Sequence, residues 1–216
     1  MTHQIKTMIV VAILTVGLGL TMPTQVAEAA PELKEGDVGG YVWDLQHRLQ
    51  QLGHYQEPLD GKFGPHNKEA VYRFQHQQGL VVDGVTGFRT WQALRQVTFT
   101  VEEIEMLAKL VYGEARGETF EGQVAVAAVA INRLHDDRFP NNMRGVIFEP
   151  RAFTAVDDGQ YYQAPDKEAY RAVYYAIRGW DPSEGALFYF NPDVATSSWI
   201  WSRDQIKTIG KHIFAV

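Results

Sequence analysis

Glu114 lies in Tyr112-Gly113-Glu114-Ala115, at the end of an amphipathic run, and its carboxyl is the group in this sequence best placed to move a proton. Competing chemistries fall away by residue type. No cysteine is present, which excludes a thiol nucleophile, a thiolate zinc site and a disulfide framework. From Val101 onward the only histidines are His135 and His212, with no H-E-x-x-H pair, so neither a zinc centre nor another cofactor is expected. No G-x-S-x-G elbow or S-x-x-K set supports serine acyl chemistry. Carboxyl chemistry remains.

Helical spacing puts Leu107, Ala108, Val111 and Glu114 on one face, so the Glu114 side chain leaves the last turn among apolar neighbours. Burial disfavours the charged form and raises the pKa, as a general acid near neutral pH requires. Gly113 and Gly117 are expected to leave room for a bulky polymer. Position alone equally allows Glu114 to be a helix-end ion-pair partner of Arg116 or Arg133. Glu118 and Glu121 lie at or beyond the next turn, nearer solvent, and Asp157-Asp158-Gly159 reads as a turn.

The elements that must position this carboxyl follow from periodicity. Ile104, Leu107, Ala108, Val111, Tyr112 and Ala115 describe an amphipathic helix, and the all-apolar stretch 124–131 predicts a helix buried on every side, the central post of its domain. A further helix is expected over 167–178. The aromatic and β-branched segments 186–190, 197–201 and 209–216 read as short strands or extended pieces. Between Leu33 and Arg95, Val42, Leu45, Leu49 and Leu52 form one helix face ended by Gly53. Ala70, Val71 and Phe74 start a second, ended by Gly79, and Trp91 with Leu94 marks a third. An internal echo, Asp60-Gly61 against Asp83-Gly84, supplies the turns between them.

With 20 basic and 26 acidic side chains in 216 residues, the net charge is -6, a poor match to a polyphosphate, so no nucleic-acid partner is expected. Lys6, the apolar run 8–20 and Ala27-Glu28-Ala29 have the order of a secretory signal peptide over 1–29, cleaved on export. The run falls short of the roughly 20 residues a spanning helix needs.

Residues 33–96 resemble a peptidoglycan-binding module. The resemblance rests on Gly36-Asp37-x-Gly39, Val42-x-x-Leu45-Gln46, Leu52-Gly53-x-Tyr55, Asp60-Gly61-x-Phe63-Gly64, Phe74-Gln75, and Asp83-Gly84-x-x-Gly87 before Thr90-Trp91. Residues 101–216 resemble the catalytic domain of SleB-type spore cortex-lytic enzymes through YGEARGE (112–118), GQVAVAAVAINR (122–133), GVIF (145–148), AFTAVDDGQ (152–160), ALFYFNP (186–192), WIWSR (199–203) and IGKHIF (209–214). The implied fold is mainly α with a small β element (α+β): a three-helix module, then a lysozyme-like or lytic-transglycosylase-like domain.

The same resemblance implies Glu114 as the catalytic acid of a lytic transglycosylase acting in germination on cortex glycan that carries muramic-δ-lactam. It further implies action in the spore cortex or at the outer face of the spore inner membrane, by a monomer with a YpeB-type membrane-linked partner. Tyr189 and Asn191 are expected to line the cleft, with Thr154 as a polar contact and Trp199, Trp201 and Tyr161 as stacking platforms, although ordinary core packing accounts for the aromatics equally well. His212 is expected to make a structural hydrogen bond. A hydrolytic N-acetylmuramidase and a non-catalytic wall-binding protein are the alternatives.

Overall fold

The computed structural model describes residues 30–216, so the expected signal segment lies outside the described residues. The N-terminal module packs α1 (Gly40–Gln51), α2 (Pro65–Gln77) and α3 (Phe88–Val97) around Val42, Leu45, Leu49, Phe74, Trp91 and Leu94. Its internal echo is structural. Each Asp-Gly turn is fastened by a buried glutamine from the helix before it.

The Gln46 amide donates to Asp60 Oδ1 (2.8 Å) and Lys62 O (3.1 Å) and accepts from Gly61 N–H (2.9 Å). Gln75 repeats the pattern on Asp83 Oδ1 (2.8 Å), Val85 O (2.9 Å) and Gly84 N–H (2.9 Å). Gly61 and Gly84, at φ +68° and +69°, hold the left-handed conformation both turns need. Replacing Gln75 with Leu strands those buried backbone groups and is expected to destabilise the module by about 3 kcal/mol, read from denaturant unfolding.

The link to the second domain is not a free tether. Gln51 donates its amide to Phe99 O (2.8 Å) and accepts from Phe99 N–H (2.9 Å), while Arg178 Nε donates to Gln51 O (2.8 Å). Thr100 then caps α4 (Val101–Ala115) in a reciprocal box with Glu103.

The second domain is built on α4, α5 (Phe120–Leu134) and α8 (Lys167–Ile177), with shorter helices α6 (Met143–Phe148) and α7 (Thr154–Asp157) over one end. Every residue from Val124 to Ala130 is buried, so α5 is the post its composition predicts. A sheet of β1 (Phe188–Phe190), β2 (Gln205–Ile209) and β3 (His212–Ala215) closes the domain in the order β1-β3-β2, all antiparallel.

Two expectations change here. Residues 209–216 are not one segment: Gly210, at φ +59°, turns the chain, so Ile209 ends β2 and His212 begins β3. Residues 197–201 are not a strand but a helical turn, α9 (Ser198–Trp201). Both edges of β3 are already paired, by β1 and β2, and the segment lies over the sheet with Trp199 on Phe188 and Trp201 on Phe190.

Candidate active site

Glu114 sits in the last turn of α4, where α7 and β1 converge on it. Its Oε1 accepts from the Ala155 backbone N–H at 2.5 Å, and its Oε2 accepts from the Tyr189 hydroxyl at 2.8 Å. Burial pushes the Glu114 pKa up, and Asp158 adds to that; the two hydrogen bonds and the Arg133 charge oppose it. The result is a carboxyl able to hold a proton closer to neutral pH than an ordinary glutamate does. Tyr189 is raised well above the usual phenol value, by burial first and then by Glu114, so it stays a neutral donor.

Two cavities, of about 630 and 480 Å³, meet at this carboxyl, because Glu114, Thr154 and Tyr189 line both. Together they make a trough with the acid between its two ends. Asn191 borders the smaller cavity and Trp199 the larger, where 53% exposure leaves its ring accessible. The Asn191 Oδ1 accepts from Asp193 N–H (2.9 Å), so part of its capacity goes to its own turn.

Trp201 lines neither cavity: its ring packs on Phe190 at 4.9 Å and its Nε1 donates to Ala195 O. Tyr161 is core, 4% exposed and set edge-on against Phe148.

Other expectations resolve by geometry. Neither Arg116 nor Arg133 forms an ion pair with Glu114 among the described residues. Arg116 reaches Gln160 and the Tyr112 and Gly113 carbonyls instead. Glu118 accepts from Lys211 N–H (3.1 Å) at the β2–β3 turn, Glu121 is exposed, and Asp158 accepts from Gln160 N–H (3.0 Å) as a turn former. Asp157 does more than end α7, for it and Glu149 border the larger cavity.

The hydrogen bond expected of His212 is not formed among the described residues. Its buried Nδ1 has no partner among the described residues, and the ring packs as an aromatic wall 5.1 Å from Tyr189, with burial lowering its pKa.

Gly117 is open, but Gly113 is not a gap for substrate. A Cβ there would stand 2.7 Å from the Ala155 Cβ. The absent side chain lets α7 approach α4 closely enough for Ala155 to reach Glu114. Gly113→Ala is therefore expected to lower kcat about tenfold and destabilise the fold by about 1–3 kcal/mol, read by cleavage assay and thermal melt.

Arg133 is the site residue that sequence reasoning missed as a cavity group. It sits on α5, is 5% exposed, and lines the larger cavity with Glu114. A polar end on an otherwise apolar buried helix was the available signal.

Comparison with known proteins agrees with this architecture. Residues 39–94 match the peptidoglycan binding domain family and residues 117–215 the Cell Wall Hydrolase family. A spore cortex-lytic enzyme of Bacillus cereus is 44% identical over 84% of this chain and 85% of its own length. This chain belongs to the spore cortex-lytic enzyme family.

The solved catalytic domain of Bacillus cereus SleB is 60% identical, with a TM-score of 0.52 over 55% of this chain and 92% of its own. That of the germination-specific lytic transglycosylase SleB from Bacillus anthracis is 61% identical, with a TM-score of 0.53 over 55% and 97%. Family membership makes the chain an enzyme of peptidoglycan degradation, with a wall-binding module ahead of its catalytic domain. The cell wall hydrolase match begins at Gly117, just past Glu114.

Proposed function

We propose that this enzyme cuts cortex glycan strands as a lytic transglycosylase in which Glu114 serves in turn as acid and base. The observation that carries the reading is one carboxyl, its pKa raised by burial, at the meeting point of two cavities and gripped by two donors. Protonated Glu114 gives its proton to the glycosidic oxygen as the C1–O bond breaks through an oxocarbenium-like transition state. The carboxylate left behind is the form that Ala155 N–H and Tyr189 OH stabilise. It then takes the proton of the muramyl 6-hydroxyl as that oxygen closes on C1. Glu114 ends protonated, the product carries a 1,6-anhydro end, and no water is consumed.

The sugar chain lies along the trough, with Thr154 and Asn191 as polar contacts and Trp199 as the accessible stacking face; Trp201 supports the wall rather than touching glycan. The N-terminal module anchors the enzyme to peptidoglycan. The reading includes export by the signal over 1–29, action as a monomer on muramic-δ-lactam glycan in the cortex, and restraint by a YpeB-type membrane-linked partner.

Mass spectrometry of cortex digested by the mature protein tests the reaction. Anhydro ends, lighter than reducing ends by the mass of water, are the expected product. Reducing ends would instead favour a muramidase, for which Asp157 and Glu149 at the larger cavity are the available second carboxylates.

A further inference from the structure

Arg133 is a buried cation that has taken no carboxylate as an ion-pair partner among the described residues. Leaving a guanidinium in that state is costly unless its donors are used and its charge is compensated. Its Nε donates to Leu187 O at 2.7 Å and its Nη1 to Ala152 O at 3.3 Å. The rings of Phe153, Phe139 and Phe188 surround it, at 4.6, 5.3 and 5.5 Å from the guanidinium carbon. Those two carbonyls belong to the segments that carry the partners of Glu114. Ala152 precedes Ala155, whose N–H grips Oε1, and Leu187 precedes Tyr189, whose hydroxyl grips Oε2. Among the described residues, no hydrogen bond joins these two segments directly across the site.

We propose that Arg133 is a positioning residue: its planar fork, fixed on the rigid central helix, sets the spacing between the α7 entrance and β1 and so holds both donors on the Glu114 carboxyl. The proposal rests on Glu114 being the reacting acid. A Lys could supply the charge but not two divergent donors in one plane, so geometry selects Arg here. The same charge faces the cavity. The charged and titratable groups around it are Tyr189 from β1, Glu149 after α6 and Glu114 from α4, while Asp158 faces Glu114 from the end of α7. In that set Arg133 is the positive group that favours the Glu114 carboxylate, the form needed for the second half of the reaction.

The test measures kcat, KM and the pH profile on solubilised cortex fragments for the parent, Arg133→Met, Arg133→Lys and Glu114→Gln, with thermal melts alongside. For Arg133→Met, kcat is expected to fall about 100-fold while KM stays within a factor of three, since a misplacement on the ångström scale is enough for such a loss. Activity needs Glu114 protonated, so losing the positive charge moves the alkaline limb to higher pH. In Arg133→Lys, kcat is expected to fall about tenfold with the alkaline limb unmoved, because charge stays and the fork is gone. Should the Met variant fail to fold, the Lys variant decides: a kcat within twofold of the parent overturns the proposal. So does a folded Met variant with parent-like kcat and pH profile. Full activity in Glu114→Gln would be a different failure, that of the acid assignment itself.

Discussion

Glu114→Gln is expected to reduce cortex cleavage at least 1,000-fold while leaving the protein folded. General acid and base catalysis by one group accounts for about 10²–10⁴ in rate, and in the proposed mechanism the same group performs both halves of the reaction. The amide keeps the local geometry: its oxygen accepts from Ala155 N–H and its nitrogen donates to the Tyr189 oxygen, so both contacts of the carboxyl survive. What it lacks is the transferable proton.

Stability moves the opposite way. The folded pKa of Glu114 lies above its ordinary value of 4.5. Folding therefore favours its protonated form, and the associated stability is present below that value and lost as pH rises through the raised folded pKa. Gln has no such loss. The variant is expected to melt higher than the parent at pH 7, with the difference closing below pH 4.5. Release of cortex fragments at more than one-tenth of the parent rate would move the chemistry to another residue.

Tyr189→Phe is expected to cost about 10–100-fold in kcat with KM little changed. The hydroxyl touches Glu114 Oε2, and its donation matters most once the carboxylate has formed, so removing it costs the later step more than binding. The ring is retained, and with it the contacts to Phe153, His212 and Phe214. The missing hydrogen bond was lowering the Glu114 pKa, so the alkaline limb of the pH profile shifts upward. Comparing kcat, KM and that limb with the parent checks the claim. A rise in KM at constant kcat would instead make Tyr189 a sugar-binding contact.

Much of this was legible from local pattern. Val124–Ala130 had no polar face to turn to water, so its place at the centre followed from composition alone. The repeated Asp-Gly turns announced themselves, although the glutamines that fasten them look like surface residues in the sequence. Gln46 and Gln75 are buried because each satisfies several backbone groups at once, and that is visible only after the chain has turned back on its helix. The 197–201 segment misled for a related reason: β-propensity describes a residue that fits a pleated surface, and it does not say whether an edge is free.

Gly113 shows the same division inside the site. Its position beside the acid suggested an opening, and the structure fills that opening with the chain's own α7. By itself the sequence determined the order of modules, the helix faces and the carboxyl at the end of α4, because these depend on residue type and spacing along one element. Tertiary structure alone decided that Ala155 and Tyr189 meet that carboxyl, that Arg133 ties their segments together, and that Trp199 reaches the trough while Trp201 does not. Hydrogen bonds and burial join residues far apart in the chain, and no periodicity records which element will arrive beside another.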